Sequence, residues 1–200
     1  MVQYALPDSD VSKTNWSEGA GDGDGSAFDE LDEGFGAGRG SGSGPDDATT
    51  YWLTTVAGAT IECNLTSVTD PNSSTGHWSR MRTRKSAAAG QQQTHTIRLV
   101  QGTTLISLLT LEDVSEVWTT REDNEITAVD ADSITDYTDL RIRVTVDEIG
   151  GGAGRQGQCS AHEFECPDAG PTVTQPYYVR TGGVPGMRIG RPGSVFGRSW

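Results

Sequence analysis

Residues 139–149 read DLRIRVTVDEI, and this stretch decides the fold. Leu140, Ile142, Val144 and Val146 fall on one side of an extended chain, with Arg141, Arg143 and Thr145 on the other. A period of two with β-branched residues inside marks a strand with one face on a core and one toward water. The same alternation runs through TIECNLT (60–66), where Ile61, Cys63 and Leu65 share a side, and THTIRLV (94–100), which aligns Ile97 with Leu99. HWSRMRTRK (77–85) sets Arg80, Arg82 and Arg84 opposite Ser79, Met81 and Thr83, while TLISLLTL (104–111) and EVWTT (116–120) add two more strands.

Turn chemistry separates these runs: TDPNSSTG (69–76), AAAGQQQ (87–93), QGTT (101–104) and REDNE (121–125). No segment sustains a helical period, although ITAVDADSITDY (126–137) suits a turn or two of helix. VSKTNW (11–16) supplies a further strand, with Trp16 on the core. Short strands at roughly ten-residue spacing predict an all-β fold, a single antiparallel β-sandwich of jelly-roll type. Residues 1–50 are then an N-terminal strand plus an acidic, Gly-rich connector, and 51–149 the sandwich core. Residues 150–200 form a linker and an extended basic C-terminal arm.

Charge is distributed unevenly. Residues 1–50 hold eleven Asp and Glu against Lys13 and Arg39, a net of −9. Residues 171–200 hold Arg180, Arg188, Arg191 and Arg198 with no acid, a net of +4. The total of −13 argues against a nucleic-acid binder or a membrane-surface binder, both of which need surplus Lys and Arg. No apolar run reaches the roughly 20 residues that span a bilayer. The start, MVQYALPDSDVSK, lacks the pattern of a secretory signal, so synthesis in a cytosol is expected.

The acidic stretch GDGDGSAFDELDE (21–33) invites comparison with a calcium loop. Asp22, Asp24, Ser26 and Glu33 fall on ligand positions of an EF-hand, but Ala27 stands where the turn needs Gly and Asp29 where an apolar residue packs. The reading is connector and contact surface, with no metal and no cofactor. GAGRQG (152–157) matches a dinucleotide fingerprint, but Pro167 follows too soon for the required helix.

In CSAHEFEC (159–166) three readings stand open. A local disulfide between Cys159 and Cys166 is favoured, ahead of two free thiols and a metal site with His162. Cys63 reads as a core residue. His77 and His95 sit in or beside strands, without a nucleophile nearby. No nucleophile elbow, Walker loop or zinc-protease motif is present, so no catalytic residue is assigned and no enzyme is expected. The row Arg80, Arg82, Arg84 is a candidate face for an anion or an acidic strand, against the alternative of plain solvated surface.

In order along the chain, DVSKTNW (10–16), FDELDE (28–33), PDDATTYW (45–52), TDPNSSTGHWSRMRTRKS (69–86), IRLVQGTTLI (97–106) and ITDYTDLRIRVTVD (134–147) resemble a β-sandwich domain of tailed-bacteriophage structural proteins. The resemblance implies a non-enzymatic virion component, of capsid-decoration, neck or tail-accessory type, made in the host cytoplasm and located in the virion. Its implied partners are other copies of itself and other virion proteins, without nucleic acid or membrane. Arg180, Arg188, Arg191, Arg198 and Trp200 are the candidate subunit contacts. Two other classes compete: a carbohydrate-binding β-sandwich for host attachment, using Trp52, Trp78 or Trp118, and an enzyme in which His77 or His95 meets carboxylates.

Overall fold

The computed structural model describes residues 1–35, 45, 47–86, 92–121, 124–149 and 155–170. In chain order they form β1 (Val2–Ala5), β2 (Pro7–Thr14), β3 (Ser17–Ala20), α1 (Phe28–Leu31), β4 (Tyr51–Thr54), β5 (Ala59–Leu65) and β6 (Trp78–Lys85). Then come β7 (Gln93–Gln101), β8 (Thr104–Leu111), β9 (Thr119–Arg121), α2 (Ala128–Asp132), β10 (Leu140–Ile149) and β11 (Gly157–Pro167). One sheet runs β3-β4-β11-β6-β9, with β1 also paired to β11; the other runs β2-β5-β10-β7-β8. All pairings are antiparallel, and the two sheets close as a β-sandwich.

The second sheet follows the alternation read from sequence. Ile142 pairs with Cys63 on one side and Leu99 on the other, and Val144 with Ile61 and Ile97. These six side chains are buried, each stabilising the fold by about 1.5–3 kcal/mol relative to exposure. Outward, Arg143 donates to Glu62 at 2.7 Å, so the polar face is cross-linked along its length. Trp16 is buried as expected, and the short α2 occupies the segment with weak helical character, its first turn capped by the Thr127 hydroxyl.

The first sheet departs from expectation at its centre. Residues 157–167 are not linker or arm: β11 lies between β6 on one side and β4 and β1 on the other. Ten of its eleven residues are buried, although they include Gln158, Ser160, His162, Glu163 and Glu165. Gln158, Ser160, Glu163 and Glu165 survive there because β6 and the connector bring partners to the outer face, whereas the inner face carries Cys159, His162 and Phe164. Gly157 packs tightly against the other sheet: an added Cβ would lie 2.8 Å from Val146 and 2.9 Å from His95 Nε2. The last glycine of the GAGRQG match is therefore there for packing. Arg180, Arg188, Arg191, Arg198 and Trp200 lie outside the described residues.

The same strand corrects the disulfide. Cys63, Cys159 and Cys166 are free and buried. Seven positions of extended chain, at about 3.3 Å each, separate Cys159 from Cys166 by roughly 23 Å, whereas a disulfide needs Cα atoms within about 7 Å. Burial raises all three thiol pKa values, that of Cys166 to about 12.

Candidate functional site

Arg80, Arg82 and Arg84 lie on the outer face of β6, with Met81 and Thr83 buried beneath. Each is engaged within the chain. Arg80 Nη1 donates to Glu163 Oε1 at 3.1 Å and Glu165 Oε2 at 2.6 Å, both on β11. Arg82 grips Asp47 through Nε at 2.6 Å and Nη2 at 2.5 Å. The guanidinium of Arg84 stacks 4.5 Å from the Trp118 ring centre and 5.9 Å from that of Tyr51. The acidic strand that faces this row is β11, and the row is a structural seam of the sheet. Its signal was present in sequence, as Glu163 and Glu165 repeat with the same period of two as the arginines.

The aromatic residues do not form one platform. Trp52 is buried, its indole Nε1 donating to Glu30 Oε2 at 2.8 Å. Trp118 meets Tyr51 edge-on at 64° and is partly exposed. Trp78 starts the arginine row, six positions before Arg84 and so about 20 Å from it along β6, and carries Arg80 over its ring.

The histidines are interior. His77 Nε2 shares a 2.8 Å hydrogen bond with the Tyr137 hydroxyl and packs near Phe164. His95 Nδ1 bonds the Thr83 hydroxyl at 2.6 Å, joining the two sheets. Neither ring has a carboxylate in hydrogen-bond contact among the described residues. His162, on the inner side of β11, has neither ring nitrogen hydrogen-bonded among the described residues. Burial lowers the pKa values of His95 and His162 to about 3, so both are neutral.

Acidic residues converge where β3 turns toward α1. Oxygens of Glu18, Asp22 and Glu30 lie within 4.8 Å of one another, as do those of Asp22, Asp24 and Asp29. Asp22, Asp29 and Glu30 border a cleft of about 290 Å³ completed by Gly21, Thr49 and Thr50. Glu30 is only 3% exposed. Its pKa is raised to about 7, first by burial and then by the charges of Asp29 and Glu18, against the Trp52 indole and the nearby Asp22 amide. Asp32 is raised to about 6, by burial and by Asp29 and Glu33. This is not an EF-hand: Glu33 accepts from the Thr50 hydroxyl instead, and Glu18 and Glu30 stand in the cluster outside the scored ligand positions.

The last exposed feature is an edge. Strand β8 ends the second sheet, and Leu105 and Leu108 on it are 50% and 52% exposed.

The described geometry defines an antiparallel β-sandwich with interior histidines and self-paired charges. No protein-family model matches the chain, and no curated protein matches it. Among solved structures it is similar to the CBM36-1 domain of a multidomain xylanase from the hindgut metagenome of Trinervitermes trinervoides, at 9% identity and TM-score 0.38, covering 80% of this chain and 99% of that one. It is also similar to SGBP-B from a complex xyloglucan utilization locus in Bacteroides uniformis, at 8% identity and TM-score 0.41 over 78% of this chain. The match spans 46% of that second chain. Both are likenesses of backbone trace, and the sandwich assignment rests on the strand pairing itself.

Proposed function

We propose that this protein is a non-catalytic assembly subunit of a bacteriophage particle, docking to neighbouring copies through edge strand β8. The observation that carries the reading is that edge: eight residues without a partner strand on the outer side among the described residues, bearing Leu105 and Leu108. Soluble monomers usually blunt such edges with charge, proline or cover. The occupant is the C-terminal segment 171–200 of another copy. It carries +4, which leaves −17 on residues 1–170 of a chain whose total is −13. An extended segment pairing along a sheet edge gains backbone hydrogen bonds, and repeated copies in a symmetric particle offset its ordering entropy.

The interior placement of His77 and His95 supports a non-catalytic role, because neither ring reaches solvent. A glycan platform gains less support, with Trp52 buried and Trp118 edge-on to Tyr51.

The test is solution mass by light scattering for the full chain, a chain ending at Gly170, and Leu105→Lys/Leu108→Lys. The full chain is expected to self-associate and both variants to lose that association while staying folded. Equal masses for all three would sink the docking model. Retardation of the full chain in a polysaccharide gel, lost with Trp118→Ala, would favour the carbohydrate-binding alternative.

A further inference from the structure

The β3–α1 turn poses an electrostatic problem that its own residues leave unsolved. Glu30 is buried on α1, and one of its oxygens, Oε2, is held by the Trp52 indole. The other, Oε1, is buried and, among the described residues, has no partner at hydrogen-bond geometry, the Asp22 amide only lying nearby. It points at Glu18: a Cβ placed on Gly21 would fall 2.0 Å from Glu30 Oε1 and 2.3 Å from Glu18 Oε1. A side chain at 21 would push these two carboxylates off the backbone over which they close. Lys13 does not answer the charge, since it is committed to Asp10 at 2.5 Å and to the Gly25 carbonyl. Once Glu30 is ionised this oxygen can only accept, and buried and aimed at further carboxylate oxygens it calls for a cation.

We infer that Glu18, Asp22 and Glu30 form a divalent-cation site suited to Ca²⁺, with Asp24 and Asp29 flanking it. The donors are hard oxygens without sulfur or imidazole, which selects Ca²⁺ over Zn²⁺ or Cu²⁺. Oxygens within 4.8 Å of one another all fit within about 2.8 Å of a common centre, so a small inward shift of the side chains reaches the Ca–O distance of about 2.4 Å. The cleft beside them, about 290 Å³ and lined also by Thr49 and Thr50, leaves room for water ligands. A bound ion would join β3, the 21–25 turn and α1 into one unit over Trp52. The inference stands on this turn alone and is independent of the β8 edge.

The experiment uses the full chain, with Ca²⁺ followed by calorimetry and Tb³⁺ by luminescence excited through tryptophan. One ion per chain is expected, at a Kd of about 1 mM or tighter, with a rise in Tm on adding Ca²⁺. Glu30→Gln and Asp22→Asn should each weaken binding by at least about tenfold, while Asp8→Asn on exposed β2 leaves it unchanged. Asp22 is an exposed turn residue, so Asp22→Asn remains decisive if Glu30→Gln fails to fold. Absence of saturable binding up to about 10 mM Ca²⁺, or equal binding by wild type and Asp22→Asn, would overturn the site.

Discussion

Arg80 on β6 and Glu163 on β11 are joined at 3.1 Å, and the glutamate side chain is wholly buried. The pair ties a strand that the sequence marks plainly to one that it disguises. Breaking a buried pair from one side leaves a charge stranded, which costs about 3–5 kcal/mol. Arg80→Met is therefore expected to lower unfolding free energy by about 3 kcal/mol in urea titrations, with Arg80→Met/Glu163→Met recovering part of the loss. A loss under about 0.5 kcal/mol would mean the pair is solvated.

Truncation should locate the true boundary of the fold. A chain ending at Gly170 keeps β11 and is expected to unfold cooperatively near the full-length Tm. A chain ending at Gln158 removes the centre of a sheet and exposes Met81 and Phe164's pocket, so no cooperative transition is expected by circular dichroism.

Acid should act through the buried histidines. His162 has an ordinary pKa of 6.5 when unfolded and about 3 when folded. Below pH 6.5 the unfolded chain takes up a proton that the native ring refuses, so stability falls as pH drops from 6.5 toward 3. His162→Leu removes this term and two nitrogens without partners. Its stability should decline less steeply by about 1.4 kcal/mol per pH unit in that window, read from urea melts at several pH values. An unchanged slope would show that His162 is protonated in the native state.

The thiols should be silent. All three cysteines are buried and free, so native protein is expected to resist a disulfide-exchange reagent and to release three equivalents in denaturant. Reductant should leave Tm unchanged. Fewer than three equivalents, restored by reductant, would restore the disulfide reading.

Much of this fold was legible because a strand's period of two is a local property. Leu140, Ile142, Val144 and Val146 needed no partner to announce an inner face, nor did Ile61, Cys63 and Leu65. The arginine row was legible on the same ground. The segment CSAHEFEC was not, since its polar residues read as part of an arm until Arg80 and Asp47 arrive from 83 and 113 positions away. Their burial depends on charges brought by other strands, a non-local fact.

The acidic turn divides in the same way. Sequence by itself determined that residues 18–33 are rich in carboxylates and that their order does not suit an EF-hand. Only the tertiary structure decided which of them meet. Packing Trp52 beneath α1 buries Glu30 and turns one oxygen toward Glu18, while Glu33 is drawn off to Thr50. Charge is written along the chain, but its desolvation is set by what folds over it, and desolvation gives a carboxylate cluster its chemistry.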